Sequence, residues 1–271
     1  MNHKKVAVIT GGSGVLCSVM ALHMAKNGYK VAILGRRQSV IDALVDQIVG
    51  EGGVAIGVAT DVLRQDLLEE AHKQVNEKLG PCDVLINGAG GNHMDATTKE
   101  PLLIPEELEK GFFGLRLDGV RSVFDLNFLG TFLPSQVFGK DMVTTGGGNI
   151  INISSMSAYS PLTKVMAYSA AKAAVSNLTE WMAVHFAAAG IRVNAMAPGF
   201  FLTNQNRSLL TTEDGSLTQR GNTIIGKTPM KRFGKPEELL STLDWMLDER
   251  SSFITGTVIP IDGGFNAFSG V

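Results

Sequence analysis

Tyr168 and Lys172 stand four residues apart in a stretch rich in Ala and Ser. On a helix that spacing puts both side chains on one face, a turn apart. A free phenol titrates at about 10 and is a poor base at neutral pH, but a neighbouring ammonium favours the phenolate and lowers that value. Such a pair can give a proton to a carbonyl or take one from an alcohol. Ser155 lies thirteen residues before Tyr168, just past the apolar run 150–153, where its hydroxyl can hold the reacting oxygen. A lone Tyr-x-x-x-Lys arises by chance in many helices. With a Ser at a strand end and a Gly-rich first turn, chance is a poor explanation.

That turn is Thr10-Gly11-Gly12-Ser13-Gly14-Val15-Leu16-Cys17, between the first apolar run and the first helical stretch. Glycines there let the backbone bend tightly against a diphosphate, and the helix start offers free N–H groups and a positive dipole end. The contacts expected of it come from Gly11, Ser13, Gly14, Val15 and Leu16. The second run ends Gly35-Arg36-Arg37, without the carboxylate that binds the ribose 2′-hydroxyl of NAD. Two guanidiniums suit a 2′-phosphate, so NADP(H) is favoured slightly over NAD(H). Their alternatives are solvated charge or stacking on adenine. Asp61, with Val62 after it, follows the third run and can accept from an adenine amino group. A helix cap or turn is its plainer use.

The elements that must hold these groups alternate in the βαβ manner. Strands are predicted at 5–10, 30–34, 54–59, 84–86, 149–153, 192–197 and 257–261. Helices are predicted at 15–27, 40–49, 63–79, 119–144, 167–189 and 236–247, the fourth of them running through Pro134. Residues 92–118 read as loop with a short helix near 105–110, and 200–235 as loop with a short helix or two. The expected fold is α/β: one doubly wound parallel sheet, Rossmann-like, with helices on both faces. It forms one domain over 1–271, with substrate-loop insertions at about 91–125 and 200–235.

Composition fits an interior-rich enzyme. The chain has 271 residues, 44% of them hydrophobic and 18% charged, enough to bury a large core. A net charge of −2 gives no basic patch for a nucleic-acid partner. The apolar run after the N-terminus, Val6-Ala7-Val8-Ile9, is too short for a signal core or a membrane span. Two cysteines, Cys17 and Cys82, make no disulfide framework. No His/Cys/Asp cluster has metal-ligand spacing, so no catalytic metal is expected. A soluble, cytoplasmic protein acting on a small molecule is the expectation.

Over essentially its whole length the chain resembles the short-chain dehydrogenase/reductase family. The resemblance is carried by Thr10-Gly11, Asp61, Asn87-Gly88-Ala89-Gly90, Asn127, Ser155, Tyr168, Lys172, Pro198-Gly199 with Thr203, and Asp262-Gly263-Gly264. It implies that Tyr168 is the acid/base and that Ser155 positions the substrate oxygen. It implies that Lys172 lowers the Tyr pKa and holds the nicotinamide ribose, and that Asn127 anchors a proton-relaying water. Asn87, Gly88 and Ala89 would support the sheet and the adenosine ribose. Thr203, in the loop of Pro198, Gly199 and Phe201, would reach the nicotinamide amide. It also implies a homotetramer built through helices 119–144 and 167–189. Val15 and Cys17 depart from the family's turn, standing where its second and third glycines are expected, so diphosphate packing and cofactor affinity are in question there.

A narrower resemblance, within that family, is to the D-mannonate oxidoreductases, or fructuronate reductases. It rests on the inserted segment opening Gly91-Asn92-His93-Met94, on Ser155-Met156-Ser157-Ala158, on 161–164 and 198–207, and on the ending 265–271. It implies reduction of D-fructuronate to D-mannonate. A keto-hexuronate wants cations and amide or hydroxyl partners, which Asn92, His93, Lys164, Arg207, Asn204 and Asn206 can supply. The alternatives are a reductase of the same family acting on another sugar, polyol or ketoacyl substrate, and a non-catalytic cofactor-binding protein.

Overall fold

The structure, a computed structural model, describes residues 4–203 and 206–270. Seven strands form one sheet: β1 (Val6–Thr10), β2 (Lys30–Gly35), β3 (Val54–Ala59), β4 (Val84–Asn87), β5 (Gly148–Ile153), β6 (Ile191–Pro198) and β7 (Val258–Ile261). Their order is β3-β2-β1-β4-β5-β6-β7 and every pairing is parallel. Strands covered on both faces carry unbroken apolar runs rather than alternation. Val6, Ala7, Val8, Ile9 and Thr10 of β1 are accordingly all buried.

On one face pack α1 (Val15–Lys26), α2 (Gln38–Gly50) and, from the far end of the sequence, α9 (Leu240–Leu247). Ile9, Met20, Ile33, Ile41, Ile86 and Leu243 share that core. On the other face pack α3 (Gln65–Lys78), α5 (Gly130–Thr145) and α6 (Met166–Phe186), around Val8, Leu34, Leu68, Leu85, Phe138 and Met182. The strand order reverses between β1 and β4, so the loops leaving their C-terminal ends part there and open a crevice. In a sheet of this type that crevice is where ligands bind.

The helix expected at 119–144 is divided. α4 (Leu117–Phe124) runs into a single π turn, Asp125–Leu129, and only then into α5. One extra residue per turn leaves hydrophobic periodicity almost unchanged, which is why sequence pattern merges the two helices. Residues 92–118 hold more structure than expected. Tight 3₁₀ turns occur at Met94–Ala96, Pro105–Lys110 and Phe112–Gly114. The segment is closed on itself by Lys99 N–H to Lys110 O (2.9 Å) and Arg116 N–H to Asp95 O (2.9 Å). Between β6 and α9 lie α7 (Arg207–Leu210) and α8 (Gln219–Lys227), and a 3₁₀ turn at Pro236–Leu239 leads into α9. Among the described residues no helix is long and apolar enough to cross a membrane.

Candidate active site

Helix α6 places Tyr168 and Lys172 on one face, pointing toward the C-terminal end of β5. The Lys172 ammonium lies 5.7 Å from the Tyr168 ring centroid. It is only 4% exposed and donates to the Ile153 carbonyl at 2.7 Å. Burial without a carboxylate pulls Lys172 down from 10.5 to about 8, against which the nearby Cys17 acts weakly to raise it. Tyr168 is half-buried, packed beside Ala96, Val123, Ala167 and Ala171. Here the structure corrects the electrostatic expectation. Burial raises Tyr168 above the ordinary phenol value, and the group that pulls it back is Ser155, through a hydrogen bond, rather than Lys172.

Ser155 follows β5 in extended backbone and is itself buried. Its Oγ accepts from the Ser157 N–H (3.2 Å) and the Ser157 hydroxyl (3.0 Å). With both lone pairs occupied, the Ser155 proton is left for Tyr168 or a reacting oxygen. Ser157 is a residue that sequence reasoning misses; the Ser-x-Ser spacing just past a strand is the available signal.

Asn127 sits inside the π turn and is fully buried. Its amide donates to Gly91 O (2.7 Å) and Val123 O (2.8 Å), and its Oδ1 accepts from Gly91 N–H at 3.3 Å. Gly90 is required beneath it: a Cβ there would lie 2.7 Å from Asn127 Oδ1 and 3.1 Å from Lys172 Nζ. A buried polar network fixes this corner. Thr179 on α6 meets Asn152 on β5 (2.9 Å), which meets Asn87 on β4 (2.9 Å), which meets Ser135 on α5 (2.8 Å). Ser135 donates to Thr131 O (2.7 Å), and Thr131 donates to Asn127 O (2.9 Å). Asn87 therefore stands behind the crevice wall, bracing the sheet. Polar residues inside apolar strands, such as Asn152 in Ile150–Ile153, are the clue to this network.

The crevice between β1 and β4 has a volume of about 630 Å³ and collects most of the expected cofactor residues: Gly11, Ser13, Gly14, Arg36, Arg37, Asp61, Val62, Gly88 and Ala89. Gly11 has φ of 60°, and a Cβ would meet Ala89 backbone at 2.9 Å, so only glycine suits this turn. Val15 and Leu16 form the first turn of α1, whose leading N–H groups have no helical partner. Arg36 and Arg37 are exposed and make no ion pair among the described residues. Asp61 Oδ1 accepts from Leu63 N–H at 3.0 Å, the turn role foreseen as its plainer use, while the residue also lines the crevice. Thr60, missed from sequence, contributes a buried Oγ1 without a protein partner to the same wall. Glycine cradle, helix start, orphaned hydroxyl and free guanidiniums together fit a nicotinamide dinucleotide.

The loop after β6 is partly turned inward. Pro198 is buried, and Gly199 packs directly on Asp262, where a Cβ would lie 2.6 Å from Asp262 Cβ. The Phe201 ring is buried against Gly234, in the core beneath α9, so its side chain belongs to packing. Thr203 gives its N–H to Asn206 Oδ1 (2.8 Å) and Asn206 gives its amide to Phe201 O (2.8 Å), so Asn206 is spent on shaping the loop. Asn204 lies outside the described residues.

Of the expected substrate groups, Asn92 bonds Thr97 Oγ1 (2.8 Å) and holds its own loop. Lys164 is tied to the Lys99 carbonyl, while Thr98 N–H returns to Lys164 O at 2.9 Å. This clasp joins the inserted segment to the loop before α6. His93 is exposed and accepts Asp95 N–H on Nδ1 (3.2 Å), which leaves Nε2 to carry the ring N–H. Arg207 opens α7, exposed and without an ion pair among the described residues, and it lines a cavity with Thr212, Asp214 and Thr218 rather than the crevice. No group of three or more His, Cys, Asp or Glu side chains able to hold a metal occurs among the described residues.

The family model for short chain dehydrogenases matches residues 5–214. The oxidoreductase UxuB of Bacillus subtilis (strain 168), of uncharacterized activity, is 56% identical over 268 residues, 98% of this chain and 96% of its own. A crystal structure of a proposed D-mannonate oxidoreductase from Haemophilus influenza, with bound NAD, is 47% identical with a TM-score of 0.95, covering 100% of this chain and 99% of that one. A gluconate 5-dehydrogenase from Burkholderia cenocepacia J2315, in complex with NADP and tartrate, is 27% identical with a TM-score of 0.82, covering 97% and 95%.

Proposed function

The chain belongs to the short-chain dehydrogenase family, and we propose that it is an NADP(H)-favouring reductase that converts D-fructuronate to D-mannonate, and the reverse. The observation that carries this reading is the meeting of Ser155, Tyr168 and Lys172 near a crevice lined by the Gly-rich turn, Arg36, Arg37 and Asp61. A nicotinamide held in the crevice would supply or take up the hydride at the substrate carbon. Tyr168 exchanges the matching proton with the substrate oxygen. Ser155, its lone pairs filled by Ser157, donates a hydrogen bond to that oxygen and keeps it in reach. Lys172, buried and anchored on Ile153 O, holds the ribose side of the site. Asn127 holds the Gly91 backbone and with it the floor of the crevice.

Two supports narrow the substrate. The Haemophilus relative is a proposed D-mannonate oxidoreductase and the Burkholderia relative a gluconate 5-dehydrogenase, both names of sugar-acid enzymes. On this protein, His93 and Arg207, exposed on the two inserted loops, offer an N–H donor and a guanidinium of the kind a substrate carboxylate and its hydroxyls would want. The free Arg36 and Arg37 support NADP(H), whereas the Haemophilus relative carries NAD. Exposed apolar side chains on α5 and α6, Phe132, Val143, Trp181 and Val184, support a homotetramer joined through those helices. We read the protein as one domain, working in the cytoplasm.

The test is an initial-rate comparison on D-fructuronate with NADH and NADPH, beside gluconate-series and ketoacyl substrates. Tyr168→Phe should lower kcat by about 10²–10⁴-fold, the reach of a positioned acid/base, with cofactor binding intact. Full turnover in that variant, or no oxidation of either cofactor by D-fructuronate, sinks the proposal.

A further inference from the structure

Where the family turn has its third glycine, this protein has Cys17, and the space its side chain needs comes from across the crevice. Cys17 is 4% exposed, in the first turn of α1. Its sulfur packs on the bare Cα of Gly88: a Cβ on residue 88 would lie 2.1 Å from Cys17 Sγ. Gly88 is not free to move away, since its N–H reaches both Thr10 O (3.2 Å) and Thr10 Oγ1 (3.1 Å), and Ala89 N–H shares the same hydroxyl at 3.3 Å. Two residues further on, the bare face of Gly90 is filled by Asn127 Oδ1 and Lys172 Nζ.

We propose that Cys17 is a positioning residue, a wedge that uses the missing side chain of Gly88 to set the strip 87–91 and, through Gly90, the seat of Lys172 and the depth of the cofactor crevice. The departure from the family turn and the glycine at 88 are then one paired feature. The sulfur packs on Gly88 at the end of β4, and Cys17 is not among the residues lining the crevice. Burial pushes its thiol up to about 12, so it acts as a neutral apolar body and not as a thiolate. The link to Lys172 rests on the catalytic reading above; the wedge itself does not.

The experiment is a double-mutant cycle of Cys17→Ala, Gly88→Ala and the pair, read by fluorescence titration of NADPH and by the pH profile of kcat/KM. Gly88→Ala alone should weaken NADPH about ten-fold, the scale of one strongly coupled contact, because its methyl meets the sulfur. In the double variant the nearest atom of residue 17 is Cβ, 3.6 Å from the new methyl and in ordinary contact. Binding should then return to within about three-fold of Cys17→Ala, the shortfall coming from Thr10 O, 2.9 Å from the same methyl. Cys17→Ala should also move the pH limb set by Lys172, since the ammonium's seat is built against the strip that the sulfur holds. The proposal is overturned if the two single effects simply multiply, if Gly88→Ala binds like the parent, or if melting temperatures shift while binding and pH limb stay fixed. Titration needs no turnover, so the cycle is readable even if Tyr168→Phe were to show the catalytic assignment wrong.

Discussion

Replacing Lys172 by Met should remove turnover and yet stabilise the fold at neutral pH. The ammonium is 4% exposed and has no carboxylate beside it; burial takes its pKa from 10.5 to about 8. At about 1.4 kcal/mol per pH unit, that difference amounts to a penalty of about 3 kcal/mol. The folded pKa is the lower one, so the unfolded state binds more protons between the two values and stability rises with pH across that window. The penalty is full below pH 8, falls from about 8 upward, and is gone by about 10.5. Met has similar length and no charge, but it leaves the Ile153 carbonyl without its 2.7 Å donor, which costs about 1–2 kcal/mol. Lys172→Met should therefore gain about 1–2 kcal/mol at about pH 7 and reach parity near about pH 9.5, a swing of about 2 kcal/mol that does not depend on the carbonyl. Urea unfolding of both proteins at fixed concentration, in steps across that pH range, measures it. A stability difference flat across the range refutes the argument that burial holds this lysine's proton loosely.

Two further outcomes follow from the same corner of the molecule. Gly90→Ala puts a methyl 2.7 Å from Asn127 Oδ1 and 3.1 Å from Lys172 Nζ, so steady-state kcat should fall about 10²-fold by misplacement of the pair, and an unchanged kcat would count against the packing. Replacing both Arg36 and Arg37 by Ala should lower the NADPH-to-NADH ratio of kcat/KM by about 10²-fold, the worth of one or two charge-assisted hydrogen bonds. A ratio that does not move would place the guanidiniums outside the phosphate site.

Most of the frame is legible because its signals are local. Buried parallel strands such as Val6–Thr10 need continuous apolar runs, and the Gly-rich turn can only follow the first of them. The spacing of Tyr168 and Lys172 is enough to put them on one face. What the sequence hides depends on groups far apart along it. The π turn around Asn127 differs from a helix by one residue, below what periodicity resolves. The sign of the shift at Tyr168 depends on how deeply the inserted segment and α6 enclose it, and spacing alone points the other way. Lys164 reads as a free cation until the fold brings Lys99 O to it, across 65 positions of sequence that give no hint of a clasp. Cys17 reads as damage to the turn, since nothing local says that the matching gap lies at Gly88.

The π turn at Asp125–Leu129 also separates two things that usually travel together. It adds one residue to a helix without altering the direction or phase of what flanks it, since a wide turn absorbs the extra residue locally. α4 can stay on the inserted segment and α5 on the sheet while the backbone between them bulges toward Gly91 and presents Asn127 inward. Taking one residue out would close the bulge into plain α-helix and leave both flanks where they are. The molecule's architecture and its asparagine are thus independently adjustable, the first written in the apolar stripes of two helices, the second in a single unit of polypeptide length.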